Sequence, residues 1–250
     1  MKFFATFLIL VSLQAGFAQE ARLQLNQANQ LYRDAQYQKA APLYEQVLKN
    51  GFESTALYYN LGNCYFKMEN IPAAILSYER ARRLSPRDDD VSYNLRLANL
   101  RVVDKIEPLP QLFFIDWWNG FLGLLSSDGW AIAATISLWV ASLAGAAFFL
   151  FRAAIVQRLA FSLALVSVLA CVISGIGLYQ QLKWERADRA AIVFSPSVSV
   201  KSAPDAQSTD LFVIHEGVKV ELTDEVGDWK KVRLADGKIG WLPVEDIQLI

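Results

Sequence analysis

The chain has 250 residues, of which 54% are hydrophobic and 20% charged, and its mean hydropathy is +0.23. That apolar excess is more than the core of a soluble domain requires. Twenty-four basic against 25 acidic residues leave a net charge of −1 with no long basic run, which excludes the electrostatic footprint of nucleic-acid binding. Two cysteines, Cys64 and Cys171, and one histidine, His215, exclude a Cys/His zinc centre of usual spacing or a disulfide framework. Charge is unevenly spread: residues 20–107 carry 12 basic and 11 acidic side chains, residues 108–182 only 2 and 2, and residues 183–250 carry 9 and 12.

Residues 1–18 read as a secretory signal peptide. Lys2 supplies the positive start, Phe3 to Leu13 the apolar run, and Ala15-Gly16-Phe17-Ala18 a small-residue cleavage region, with the cut expected after Ala18. The other reading is a first membrane anchor, but the run falls short of the roughly 20 residues a span requires.

An internal repeat follows. At an offset of 34, Ala28 aligns with Gly62, Tyr37 with Ile71, Ala40 with Ala74, Tyr44 with Tyr78 and Val47 with Ala81. Small residues at Gly62 and Ala74 let two helices approach, while Tyr65, Tyr78 and Ala81 fill the space between repeats. Asp88-Asp89-Asp90 offers caps for a closing helix over about 90–103. The period, with Leu61-Gly62, Tyr65, Ala74, Tyr78, Ala81 and Pro86, resembles the tetratricopeptide repeat, and residues 20–103 are assigned to such an array with its capping helix.

From 104 to 128 the helical pattern breaks at Pro108 and Pro110. Phe113-Phe114, Trp117-Trp118 and Phe121-Leu122 then crowd together, as in an amphipathic interfacial linker. A linker buried on the repeats is the alternative. Trp130–Phe151 and Leu159–Leu182 are uncharged runs, about 33 and 36 Å long as helices, enough to cross a bilayer. The turn 152–158 holds Arg152 and Arg158 and no acid, which places it in the cytoplasm and both flanking soluble parts outside.

The C-terminal segment changes to period two in Val218/Val220/Leu222, Val232/Leu234 and Ile239/Trp241, with Asp236-Gly237 as a tight hairpin. Val198 to Pro204, His215-Glu216-Gly217, Gly227-Asp228-Trp229 and Gly240-Trp241 make residues 188–250 resemble the bacterial SH3 domain, which has Arg and Gly where this chain has Lys201 and Ala203. Trp229 and Trp241 read better as core fillers than as a ligand platform, because so small a barrel needs both indoles. The predicted fold is a multidomain membrane protein: an α-helical tetratricopeptide array, a two-helix transmembrane hairpin and a small SH3-like β-barrel.

This order of modules is similar to the Bacteroides aerotolerance protein E (BatE-like) family. The resemblance implies a place in an envelope complex with von Willebrand A-type membrane proteins and a MoxR-type AAA+ ATPase, in aerotolerance or stress.

No catalytic constellation is visible: His215 has no nucleophile motif to serve, there is no phosphate loop, and the carboxylates read as solvated. Neither cofactor nor metal is expected. Candidate binding residues form a ladder instead. Asn26, Asn60 and Asn94 repeat at 34, as do Asn29 and Asn63; Arg33, Lys67 and Arg101 do likewise, with Tyr59 and Tyr93 nearby. In tetratricopeptide repeats these positions line the groove, where amides pair with an extended peptide and cations hold a carboxylate. Capping or solvating the helices is the plainer alternative. The expected function is a non-enzymatic membrane scaffold at the bacterial inner membrane with periplasmic tetratricopeptide and SH3-like modules. A cell-wall-binding module or envelope sensor is the alternative.

Overall fold

The computed structural model describes residues 19–109, 113–187 and 189–250; the expected signal peptide lies outside them. Two compact units result, one built from the two ends of the chain, up to Pro108 and from Arg189, and the other from Leu109–Asp188.

In the first unit, α1 (19–33), α2 (Tyr37–Lys49), α3 (Thr55–Lys67), α4 (Ile71–Leu84) and α5 (Asp89–Asn99) form the helical array. Its period is written in the backbone. The turns α1–α2 and α3–α4 both place a non-glycine residue in the left-handed region, Ala35 at φ 55° and Glu69 at φ 61°, which are 34 residues apart. Both close with the same bond, Gln36 N–H to Leu31 O at 2.8 Å and Asn70 N–H to Tyr65 O at 3.0 Å, an arrangement that satisfies helix-end carbonyls. Ser54, Asn70 and Asp88 cap α3, α4 and α5 by accepting from Leu57, Ala73 and Val91 N–H. Gly62 is small because Tyr78 lies on it: a Cβ there would sit 2.6 Å from the ring.

The C-terminal strands are β1 (Ala190–Val193), β2 (Ser197–Lys201), β3 (Asp210–His215), β4 (Lys219–Val226), β5 (Trp229–Arg233), β6 (Ile239–Pro243) and β7 (Ile247–Leu249). They form one antiparallel sheet in the order β3-β2-β6-β5-β4-β1-β7. Asp236-Gly237 makes the β5–β6 turn, with Gly237 at φ 89°. The two indoles separate. Trp241 is buried, whereas Trp229 is only half-buried. The two-residue turn Gly227-Asp228 sets Trp229 at the first position of β5, at the end of the hairpin, so the expectation that both indoles fill the core is corrected.

Array and sheet share one core. Ala74, Ile75, Leu95, Ala98 and Val102 from the helical side cluster with Ala191, Ile192, Val193, Val218 and Val220 from the sheet. All four residues of β1 are buried. Gly217, at φ 86°, lies close against the helical side, where an added Cβ would lie 2.9 Å from Val102. Two or so repeats are too few to bury their own faces, and the sheet supplies the missing layer.

Polar groups lock the same joint. The Glu79 carboxylate, 6% exposed, pairs with Arg82 at 2.6 Å and with Lys219 of β4 at 3.1 Å. Arg80 and Arg83 donate to the Leu249 and Ile250 carbonyls at 2.7 and 2.9 Å. His215 N–H donates to Asp104 at 2.7 Å, and its Nδ1 lies 3.1 Å from the same carboxylate. Glu79 and Asp104 are thus structural rather than solvated, and His215 is the last residue of β3.

The second unit contains α6 (Phe113–Leu122), α7 (Ser127–Leu150) and α8 (Ala154–Ala187). α7 and, in α8, Ala154–Lys183 are long and apolar enough to cross a membrane, their most apolar 18-residue stretches having mean hydropathies of 1.9 and 2.5. Gly177 of α8 admits the Trp130 ring of α7, since a Cβ there would lie 2.6 Å from it, and Trp130 Nε1 donates to the Leu122 carbonyl at 2.9 Å. α8 starts at Ala154, so Ile155 to Arg158, read from the sequence as turn, are helical; no proline or glycine among them stops a helix. α6 takes up ten residues of the stretch read as linker and leaves Phe113, Phe114 and Trp117 exposed.

Candidate functional site

The candidate residues stand on α1, α3 and α5, except Arg101, which lies in the turn just after α5. The amide ladder turns out to be an internal staple that repeats with the array. Asn29 Oδ1 accepts from the Tyr44 hydroxyl at 2.7 Å and from Asn60 Nδ2 at 3.3 Å. One repeat later, Asn63 Oδ1 accepts from the Tyr78 hydroxyl at 2.7 Å and from Asn94 Nδ2 at 3.0 Å. Asn94 Nδ2 also reaches the Tyr59 hydroxyl at 2.8 Å. Each of these carboxamide oxygens has both lone pairs occupied, so Asn29 and Asn63 tie a repeat to its neighbour instead of presenting acceptors to a ligand. Burial pushes the Tyr44 and Tyr78 hydroxyls well above the usual phenol range, which keeps them protonated and donating. The same burial pushes the Cys64 thiol up to about 12, so it packs as a neutral side chain.

Stability should therefore depend on these amides. Asn63→Ala strands the Tyr78 hydroxyl and removes the Asn94 bond, an expected cost of about 2 kcal/mol at roughly 1 kcal/mol per lost bond. Urea unfolding reads it, and a midpoint equal to that of the parent would return Asn63 to the solvated class.

The remaining candidates are outward-facing. Lys67 is exposed, and no ion-pair partner for it is present among the described residues. Arg33 is exposed and donates to Gln30. Arg101 pairs with Glu69 at 3.4 Å, both exposed. Tyr93 is 56% exposed with the Arg96 guanidinium over its ring, and Asn26 is exposed on α1. Of the ten, Asn63, Asn94, Tyr59 and Lys67 come together around one cavity of about 250 Å³, which Tyr32, Phe66, Tyr78 and Leu97 complete. Asn26, Asn29, Asn60, Arg33, Arg101 and Tyr93 are not among its lining residues. The sequence ladder did not single out Leu97, whose signal was its place one helical turn after Asn94 on the same face. Chemically, the cavity offers an aromatic wall and a single cation.

Comparison with known families assigns two parts of the chain. A tetratricopeptide repeat model matches residues 56–88, which are α3, α4 and the start of the following segment. A bacterial SH3 domain model matches residues 196–248, β2 to β7. Both are binding modules rather than catalytic ones. Among the described residues, no group of three His, Cys, Asp or Glu is placed to hold a metal ion. Among curated proteins, the chain is 32% identical over 66 residues to tetratricopeptide repeat protein 16 of Macaca fascicularis and of Homo sapiens. It is 32% identical over 72 residues to sperm-associated antigen 1 of Rattus norvegicus. These matches cover 26% and 29% of this chain, but only 8% of each relative.

Proposed function

We propose that the protein is a non-enzymatic, membrane-anchored scaffold that holds protein partners on its helical array and SH3-like sheet. The observation that carries this reading is the aromatic cavity with its exposed Lys67, built on a folded body whose chain leaves and re-enters through two long apolar helices. Both flanks of those helices belong to one shared core, which cannot straddle a bilayer. The intervening segment then crosses an even number of times, which supports a two-span topology with both soluble parts on the same face. With the signal segment and the two arginines near the α7–α8 junction, Arg152 and Arg158, that face is the periplasmic side of the inner membrane. The order of modules supports a place in a Bat-type aerotolerance or stress complex, with von Willebrand A-type membrane proteins and a MoxR-type ATPase as partners.

A photo-crosslinking residue in place of Lys67, irradiated in intact cells, tests the reading. The expected adduct is an envelope membrane protein of the von Willebrand A type, lost when Phe66→Ala opens the cavity wall. Absence of any protein adduct overturns it. A second reading, binding of cell-wall peptides by the SH3-like sheet, is favoured by Trp229, which is only half-buried. Muropeptide retention by the whole chain, abolished by Trp229→Ala, would support that reading.

A further inference from the structure

The two ends of the sheet are treated differently. β7 is three residues long, and Arg80 and Arg83 take up the carbonyls of Leu249 and Ile250. β3 forms the other end, is six residues long, and pairs on one side only, with β2. At its last residue the outward backbone is already in use, since the His215 N–H is held by Asp104. Strand alternation then turns the N–H and C=O of Val213 to the same outer side, and the register shift at Leu211 ends this regular stretch of edge. The side chains of Leu211 and Val213 are 49% and 50% exposed. β3 contains no lysine or proline to blunt the edge, as natural edge strands usually do.

Next to this edge runs the segment 104–107. Asp104, Ile106 and Glu107, with Phe212, Val213, Ile214 and the β5–β6 turn, border a slot of about 460 Å³. The charges around it are unequal in effect. The Lys105 ammonium donates to the Leu100 and Val102 carbonyls at 2.9 and 2.8 Å, and Lys238 pairs with Asp236 at 3.0 Å. Glu107 has no cationic partner among the described residues, and Asp104 has only His215.

We propose that the outer edge of β3 takes up an extended segment of another protein as an added strand. Aliphatic side chains in alternation would lie against Leu211 and Val213, with a lysine or arginine at the end that meets Asp104 and Glu107. Backbone bonds to the Val213 N–H and C=O supply the affinity, and the aliphatic contacts and the terminal cation supply the selectivity. This chain's own segment 104–107 lines the slot together with β3, so the incoming strand meets the Asp104 and Glu107 carboxylates there. This surface is distinct from the cavity around Lys67.

Amide hydrogen exchange on the full chain in lipid nanodiscs tests it. The probe is a capped heptapeptide in which valine alternates with threonine and two lysines end the chain. Saturating peptide is expected to slow exchange at Val213 about tenfold. Val213→Lys, which places a charge on the exposed face and leaves the core untouched, is expected to abolish the effect at an unchanged melting temperature. Glu107→Gln is expected to weaken binding of the lysine-ended peptide about threefold and to leave a lysine-free analogue unaffected. Lys67→Glu is expected to change nothing, which separates this surface from the groove. No slowing at millimolar peptide overturns the proposal, as does equal slowing by a peptide with proline at every second position. Slowing that depends on protein concentration without peptide also overturns it, by assigning the edge to a second copy.

Discussion

Residues 189–250 separated from the rest of the chain are expected to show no cooperative thermal transition, and residues 19–108 alone are expected to behave likewise. The cause is the shared core. Separation returns Ile75 and Val102 on one side, and Ile192, Val193 and Val218 on the other, to water. At roughly 1.5–3 kcal/mol for each buried aliphatic side chain, the loss is comparable with the whole stability of a small domain, about 5–15 kcal/mol. It also leaves the Glu79 carboxylate without Lys219. Mixing the two fragments should restore a single transition. If either fragment alone melts cooperatively near the temperature of the mixture, the joint is an ordinary contact between independent domains.

Gly240→Ala is expected to be the most damaging single substitution in the sheet. A Cβ at this position would lie 2.3 Å from Val200 Cγ1 and 2.9 Å from the Lys201 carbonyl oxygen, where β6 crosses β2. Val200 is fully buried and Lys201 O belongs to the backbone, so neither neighbour yields without moving β2. Overpacking of this kind costs about 3 kcal/mol, which should appear as a melting temperature lower by roughly 10 °C or more. A variant that melts within two degrees of the parent would show that β2 and β6 separate easily.

Period and composition carried the helical array and the two apolar helices well. The 34-residue offset that aligns Tyr44 with Tyr78 in the sequence reappears as identical hydroxyl-to-asparagine bonds, and the caps expected around Asp88 form. What local pattern could not carry was contact at long range. Glu79 sits on a repeat helix like any solvated carboxylate, and only the arrival of Lys219, 140 residues later, buries it. Ala190-Ala191-Ile192-Val193 lacks the alternation of a half-exposed strand because α4 covers its second face. Trp229 misled for the opposite reason. Bulk argued for the interior, while its position beside Gly227-Asp228 fixed it at the rim. The asparagine ladder was legible as a ladder, but its hydrogen-bond partners, tyrosines on the neighbouring helices, became visible only with the fold.

The shared core has a consequence in time. α4 is made long before β1, since the segment 109–188 must be synthesised between the two halves of the unit. At about 5–20 residues per second, Ile75, Leu95 and Val102 wait several seconds for the strands that cover them. During that interval the helical array is an unfinished body with an open apolar side. Premature termination anywhere in the apolar helices would release it in that state, so the amount of intact protein in the cell should be limited by holding chaperones and proteases rather than by the strength of the finished fold.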